Sequence, residues 1–384
     1  MAKAEREPRR GKALIVSAYA EPHLGGVEVV VAQQARTLTA LGRGVTVVTS
    51  RCDARVAKHE QVDGFEIVRV PAWNGLEDLK GVPLPIWSPW AFLRLARLIR
   101  KTDVVHVHDV YHASSVVAAS LAKLLRRPLF LTQHVAIVDH DTAVVRLFQK
   151  VIYSSVGRLL WRWAGAITVY NPIVEGFIAE KGVPRGKLRL SYNGIDTSKF
   201  RPGDPSAAAA TRSKYGLPHD VPLVLFVGRL VPKKGVDKLI EARGPDYHIV
   251  LAGPGNIPDE RPEGVTFLGA VPRDELLSLY QASDIFALPA VSEMLTLAMQ
   301  EAMSCGLPVV TTDDDGYASY EFDPAGIAFV APQPGALRSA FLDILRDQPR
   351  RQYMRAYSRQ LAEERFDWHK NASHLDSEHT LARA

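Results

Sequence analysis

The chain has 384 residues, 47% of them hydrophobic and 23% charged, with a formal net charge of +5. That length exceeds one ordinary core, so two domains are expected, and the balance of residues is that of a soluble globular chain. Two cysteines, Cys52 and Cys305, are too few for a disulfide framework and point to a reducing, cytoplasmic setting, and no run approaches the ~20 apolar residues of a membrane span.

Residues 1–10 are basic and polar, without the apolar centre of a signal peptide, and read as a flexible tail. From there short apolar runs alternate with segments of helical period, the pattern of parallel sheets covered by helices on both faces. Strands are predicted at Ala13–Ser17, Val45–Thr49, Phe65–Val70, Val104–Val107, Leu129–Thr132, Ala166–Tyr170 and Lys187–Leu190. Helices are predicted between them at Val27–Ala40, Pro89–Arg100, Ser114–Leu125, Ala143–Trp163 and Ile173–Glu180. Pro202, Gly203, Pro205 and an alanine tract then mark residues 196–220 as a linker. The pattern restarts with strands at Leu223–Val227, His248–Leu251, Val265–Leu268, Ile285–Leu288 and Val309–Thr311, and a helical segment from Gln352 to about Leu375 closes the chain. The expected organisation is a domain over 11–195, a linker over 196–220, a second domain over 221–350 and a terminal helical segment over 351–384. Two doubly wound parallel-sheet domains in series place a ligand at the carboxyl ends of strands that face an interdomain cleft.

Glu293 and Glu301, with seven residues between them, carry the strongest functional signal. Ala298 to Met303 favours helix, and Cys305-Gly306-Leu307-Pro308 reads as its stop, so Glu293 lies at or before a helix N-terminus and Glu301 about two turns inside. Eight steps at ~1.5 Å separate their Cα atoms by roughly 12 Å, enough to grip the two ends of an elongated polar ligand. The amides between them, at Leu295, Thr296 and Leu297, suit a phosphate. A solvated acidic pair is the ordinary reading of such a spacing, and what displaces it is the company it keeps. Strand Leu223–Val227 runs into Gly228-Arg229 and, five residues after Arg229, Lys234, placing two cations at a sheet edge where they can neutralise a diphosphate. In the first half, Gly25-Gly26 opens a helix after a strand and lets backbone approach a ligand closely. His106, His108, His112 and His134 invite a metal reading, but alternation gives only a shared face for His106 and His108, and no metal is expected. His134, at the end of its strand, can either pack or hydrogen-bond a sugar hydroxyl.

Taken together, Gly25-Gly26-Val27-Glu28, His106-Val107-His108, Thr132-Gln133-His134, Tyr192-Asn193-Gly194-Ile195-Asp196, Val227-Gly228-Arg229-Leu230 with Lys233-Lys234-Gly235, and Ser292-Glu293 through Pro308 resemble the motifs of the family-4 glycosyltransferases. These are retaining enzymes of the GT-B fold, two Rossmann-like domains facing a cleft, and the resemblance spans nearly the whole chain. It implies a nucleotide-diphosphate-sugar donor, with Glu293 on the sugar hydroxyls and Glu301 on the ribose. Arg229 and Lys234 would hold the diphosphate, and His134 would lie beside the reacting centre. Gly25, Gly26, Gly228, Met294, Leu295, Thr296 and Leu297 would line the donor site. It also implies metal-independent transfer with no cofactor, and a C-terminal helix that crosses back to the first domain. Met294 stands where the family usually has Gly, so the donor sugar is left open. The nine residues between Gly255 and Val265 are too few for the helix usually found there, and Asp313-Asp314-Asp315 reads as a solvated acidic loop. A nucleotide-sugar epimerase of the same fold and a non-catalytic glycan-binding relic are the competing readings.

Charge adds a further expectation. Residues 1–200 hold 28 Lys and Arg against 17 Asp and Glu, while residues 201–384 hold 19 against 25. A basic first half suits an anionic partner; no zinc-finger spacing or RNA-binding aromatic signature supports nucleic acid. Within Ala143–Trp163, Arg146, Lys150, Arg158 and Arg162 share one half of the helical wheel, and Phe148, Ile152, Val156, Leu159, Leu160 and Trp163 the other. Trp73, Trp87 and Trp90 precede a second basic helix ending in Arg100-Lys101. Such helices either pack on a sheet or lie on an anionic bilayer. The expectation is a cytoplasmic enzyme of cell-surface polysaccharide or glycolipid synthesis, peripheral on the inner face of the membrane, with a glycan or lipid-linked acceptor.

Overall fold

The computed structural model describes residues 11–23, 25–75, 84–136, 143–192, 194–291, 295–313, 315–318 and 320–381. The predicted tail at 1–10 lies outside them. The chain forms two compact units, Met1–Asn193 with Trp368–Ala384, and Gly194–Asp367.

In the first unit the elements run β1 (Lys12–Val16), α1 (Gly26–Ala40), β2 (Gly44–Arg51), β3 (His59–Val62), β4 (Phe65–Trp73), β5 (Ile86–Trp87), α2 (Pro89–Arg100), β6 (Val104–His108), α3 (Ala113–Leu124) and β7 (Leu129–Gln133). They continue with α4 (Ala143–Ile152), a π-helical turn (Tyr153–Gly157), α5 (Arg158–Trp163), β8 (Ala166–Val169), α6 (Pro172–Glu180) and β9 (Leu188–Leu190). The strand order is β3-β4-β2-β1-β6-β7-β8-β9, parallel except where β3 and β5 pair antiparallel with β4. Successive residues of each strand feed opposite faces, as the two-residue period requires. Leu14, Val16, Val105, Val107 and Leu131 join one apolar layer, and Ala13, Ile15, Val104 and Phe130 join the other. His106, His108 and Thr132 share the parity of Val104 and Phe130, so they belong to the second layer.

In the second unit come α7 (Pro205–Lys214), β10 (Leu223–Val227), α8 (Val236–Glu241), β11 (His248–Ala252), β12 (Val265–Gly269), α9 (Arg273–Ala282), β13 (Ile285–Leu288), α10 (Leu297–Ser304), β14 (Val309–Thr312), α11 (Asp315–Ala318), β15 (Ile327–Val330), α12 (Pro334–Arg346) and α13 (Gln348–Arg365). Its all-parallel sheet has the order β12-β11-β10-β13-β14-β15, which counted from one is the 3-2-1-4-5-6 order of a Rossmann sheet. The chain reverses direction across the sheet between β10 and β13. In the first unit the corresponding reversal falls between β1 and β6.

Several elements differ from the sequence reading: β3, β5 and β15 were not predicted, and the helix expected over Ala143–Trp163 is interrupted by the π-helical turn. The stretch read as linker carries α7, capped by the Asp204 carboxylate on the Ser206 amide at 2.8 Å, and Arg212 of this helix pairs with Asp284 at 2.9 Å and donates to the Ala282 carbonyl. The closing helical segment is two helices. It breaks at Phe366-Asp367, where Ile195 N donates to the Phe366 carbonyl at 2.7 Å and Thr197 bonds the Asp367 carboxylate. The last helix, α14 (Trp368–Leu381), packs in the first unit, where Trp368 meets Val30 and Tyr170, and Asp376 pairs with Arg43.

Candidate active site

In the second unit the described residues among the predicted groups lie in the chain segments that follow β10 and β13, neighbouring parallel strands at the point where the strand order reverses. The β10 run ends at Gly228, whose φ of 158° lies at the edge of the glycine region. Gly253, after β11, approaches it so closely that an added Cβ would sit 1.8 Å from the Gly228 carbonyl oxygen. The chain then turns through Arg229, which is exposed and whose guanidinium pairs with no described residue, and a short 3₁₀ turn at Pro232–Lys234. Gly235 ends that turn in left-handed backbone, with φ 72°, and a Cβ there would meet the Pro289 carbonyl at 2.2 Å. Val291 N donates to the Lys233 carbonyl at 3.2 Å. The cation-bearing loop and the run-in to α10 are therefore held against each other by backbone.

Glu293 and Met294 lie outside the described residues. Leu295 is buried, and Thr296 caps α10 by accepting the Met299 amide on its hydroxyl at 3.2 Å. That cap moves the helix start to Leu297, so Glu301 sits about one turn inside and not two. Its surroundings also differ from the sequence reading. Glu301 is only 3% exposed, with Oε1 accepting from Arg273 at 2.8 Å and Oε2 from Tyr280 at 2.9 Å. Burial raises its pKa, while Arg273 and the Tyr280 hydroxyl oppose that rise. Arg273 and Tyr280 were not singled out from sequence, because nothing in their spacing announces a pairing 28 and 21 residues away. The Arg273 side chain is partly exposed, whereas that of Glu301 is buried.

In the first unit Gly25 is the N-cap of α1 in extended backbone, and the Glu28 carboxylate folds back over it. Glu28 also meets His23 Nδ1 at 2.7 Å, and the His23 ring stacks on Tyr19 with centroids 4.1 Å apart. Gly26 opens the helix and has nothing within 4 Å of an added Cβ.

His134 follows β7 and is anchored twice from the end of β6. Its amide donates to Asp109 Oδ1 at 2.8 Å, and its Nε2 meets His108 Nδ1 at 2.9 Å. Gln133 also donates to Asp109 Oδ1, at 2.9 Å, and its own oxygen accepts from Val110 N and Trp161 Nε1. Deeper on the same face, His106 meets Thr132 Oγ1 at 2.8 Å and His379 of α14 at 3.2 Å, and it stacks on His108. Both nitrogens of His106, and one each of His108, His134 and His379, are thus paired within the set or with Thr132. Burial drives the pKa of His134 down to about 3 and that of His112 to about 4, and holds His106 and His108 well below the usual range, so all four rings are neutral at pH 7. Burial works the other way on Asp109, pushing its carboxyl up to about 7 against the His134 and Val135 amides that favour the charge. Asp109 was legible only as the residue after a His-x-His run.

The chain is similar to known proteins. Residues 24–199 match the family model described as Glycosyltransferase Family 4, and residues 208–361 match Glycosyl transferases group 1. A D-inositol 3-phosphate glycosyltransferase of Frankia alni is 28% identical, covering 85% of this chain and 86% of its own. A GDP-mannose-dependent alpha-(1-6)-phosphatidylinositol monomannoside mannosyltransferase of Mycolicibacterium smegmatis is 27% identical, covering 81% and 83%. Among solved structures, Anabaena HepE in complex with UDP-glucose superposes with a TM-score of 0.75 at 19% identity, covering 96% of this chain and 98% of its own. Its fold is that of this chain: α/β, with Rossmann-like parallel sheets in the GT-B architecture. With two matching models spanning most of its length, and with relatives and fold in agreement, this chain belongs to the family-4 glycosyltransferases.

Proposed function

We propose that the protein moves a sugar from a nucleotide-diphosphate-sugar to a glycan or lipid-linked acceptor, with retention at the anomeric carbon and without a metal ion. What supports this reading is the carboxyl edge of β10 and β13, neighbouring parallel strands at the switch point, with Arg229 and Lys234 in the chain after β10 and α10 in the chain after β13. When the anomeric C–O bond breaks, its electron pair passes to a diphosphate oxygen. Fixed cations and helix amides stabilise the charge that builds there. The acceptor hydroxyl attacks the face that the diphosphate leaves, and its proton passes to the departing phosphate oxygen, so no protein nucleophile is needed. In this scheme Glu293 holds sugar hydroxyls, Glu301 the ribose, Gly26 admits the ligand close to backbone, and His134 hydrogen-bonds the transferred sugar.

The relatives support the acceptor class, since one is named for an inositol phosphate and another for a phosphatidylinositol mannoside. A surface of the first unit supports a membrane-presented acceptor in cell-surface glycolipid or polysaccharide synthesis, at the inner face of the cytoplasmic membrane. Trp73, Ile86, Leu93 and Trp90, the last 77% exposed, stand out beside exposed Arg97, Arg100 and Lys101 of the α2 region. Trp87 does not join them: it is buried, with its indole N–H on Ser50 Oγ at 2.7 Å.

A panel of nucleotide-sugars including UDP-glucose and GDP-mannose, screened by thermal shift, identifies the donor, since a ligand bound only to the folded form raises stability by RT ln(1 + [L]/Kd). Transfer then releases free nucleoside diphosphate, whereas an epimerase leaves it attached to sugar and a binding relic does neither. Glu293→Ala and Lys234→Ala each lower that release more than tenfold with an unchanged melting temperature. Release at the wild-type rate in either variant overturns the role given to that residue.

A further inference from the structure

The histidines behind His134 form a connected set that the transfer chemistry above does not use. His108 is 1% exposed, its Nδ1 faces His134 Nε2 at 2.9 Å, and the two rings lie near parallel, at 22°. His106 also stacks on His108, with centroids 4.5 Å apart. His106 is itself pinned through both nitrogens, by Thr132 Oγ1 and by His379. The His134 backbone is fixed separately, its amide on Asp109 Oδ1. Two consecutive residues at the end of β6 therefore hold the main chain and the ring of one residue at the end of β7.

The partners decide where the protons sit. A neutral imidazole carries one N–H and one lone pair, and a hydrogen bond between two rings needs one of each. His108 Nε2 is buried and meets no described hydrogen-bond partner. If that nitrogen carried the proton, a buried donor would be stranded, the arrangement that folded proteins avoid most strictly. The proton therefore sits on His108 Nδ1 and points at His134. His134 Nε2 must then be the acceptor, and the single proton of a neutral His134 is left on Nδ1, a nitrogen that no described hydrogen bond employs.

We propose that His108 is a positioning residue, whose Nδ1–H fixes His134 as the Nδ1–H tautomer so that His134 presents a hydrogen-bond donor to an oxygen of the transferred sugar. The inference rests on the reading of His134 as a sugar contact. It adds a chemical requirement: the group met by His134 is an acceptor, such as a hydroxyl or carboxylate oxygen, and not a group that can only donate.

Nitrogen-15 NMR of the full chain with labelled histidine tests this directly, since the protonated and lone-pair ring nitrogens resonate far apart and loss of one signal set in His134→Asn identifies the residue. The wild type at pH 7.5 shows one neutral His134 tautomer with the proton on Nδ1. His108→Asn, whose side-chain amide can donate from near the Nδ1 position, keeps that spectrum, and His108→Phe gives a mixture of tautomers. With whichever of UDP-glucose and GDP-mannose the wild type turns over, His108→Phe lowers kcat at least tenfold with donor KM within threefold, and His108→Asn stays within threefold of wild type. A wild-type proton on Nε2, or equal kcat in His108→Phe and wild type, overturns the proposal. Normal turnover in His134→Ala sinks the sugar-contact reading instead, and the tautomer measurement still decides whether His108 orients the ring.

Discussion

Asp109 and the histidines around it make the first unit sensitive to pH in two opposed ways. The folded state holds the Asp109 carboxyl at about 7 against an ordinary 3.8, so its favourable contribution is complete below about pH 4 and is lost as pH rises through 7. Asp109→Asn keeps an oxygen to accept from Gln133 and His134 but cannot ionise. It is expected to be more stable than wild type at pH 8 by roughly 2–4 kcal/mol, with the gap closing as pH falls to 4. Urea midpoints at pH 8, 6 and 4 read this, and a gap that does not change with pH would show that Asp109 ionises freely in the fold. The histidine contribution has the opposite sign. Their folded pKa values are depressed, so their stabilisation is present above about pH 6.5 and is lost on acidification.

At the level of elements, the site depends on turns that tolerate only glycine. Gly235 both adopts φ 72° and leaves room for the Pro289 carbonyl, which is backbone and cannot swing away. Gly235→Ala should cost roughly 2–3 kcal/mol, combining left-handed strain with the displaced carbonyl. Because the shift also pushes Lys234 out of register with α10, donor KM should rise along with the loss in melting temperature. A variant with wild-type melting temperature and wild-type KM would refute the close approach. Helix starts show the same dependence on local chemistry. Thr296 accepts the Met299 amide and fixes where α10 begins, and the Asp347 carboxylate does the same for α13 on the Arg350 amide.

At the scale of the molecule, α14 ties the end of the chain into the first unit. Trp368 packs with Val30 and Tyr170, Leu375 enters the layer of Ile15 and Val31, Asp376 pairs with the buried Arg43, and His379 meets His106. A chain ending at Asp367 keeps every residue of the second unit and strips these contacts from the first. Differential scanning calorimetry should show the first unit melting at least 10 °C lower, since removing a carboxylate partner from a buried arginine costs about 3 kcal/mol and the apolar contacts of Trp368 and Leu375 are lost with it. A melting profile like that of the full chain would show the helix to be dispensable. The basic, tryptophan-bearing surface is tested separately: the pure protein should sediment with phosphatidylserine-containing vesicles at low salt and be released at high salt, and Trp90→Ala should weaken this. Failure to sediment at low salt removes the membrane reading.

Much of the fold was legible because its signals are local. Leu223–Val227 and Pro89–Arg100 are found with the boundaries that hydrophobic period and flanking residues give them, and the restart after residue 200 marked a second Rossmann unit. The ordered motifs likewise named the family, and they pointed to Arg229, Lys234 and His134 by their places at strand ends. What the sequence by itself could not determine was pairing over long separations and the burial that accompanies it. Glu301 held by Arg273 and Tyr280, His134 held by His108 and Asp109, and α14 returning to the first unit each join residues with no periodic relation along the chain. Only tertiary structure decided these, because a side chain's partners and its pKa follow from which elements close over it and how much water they exclude.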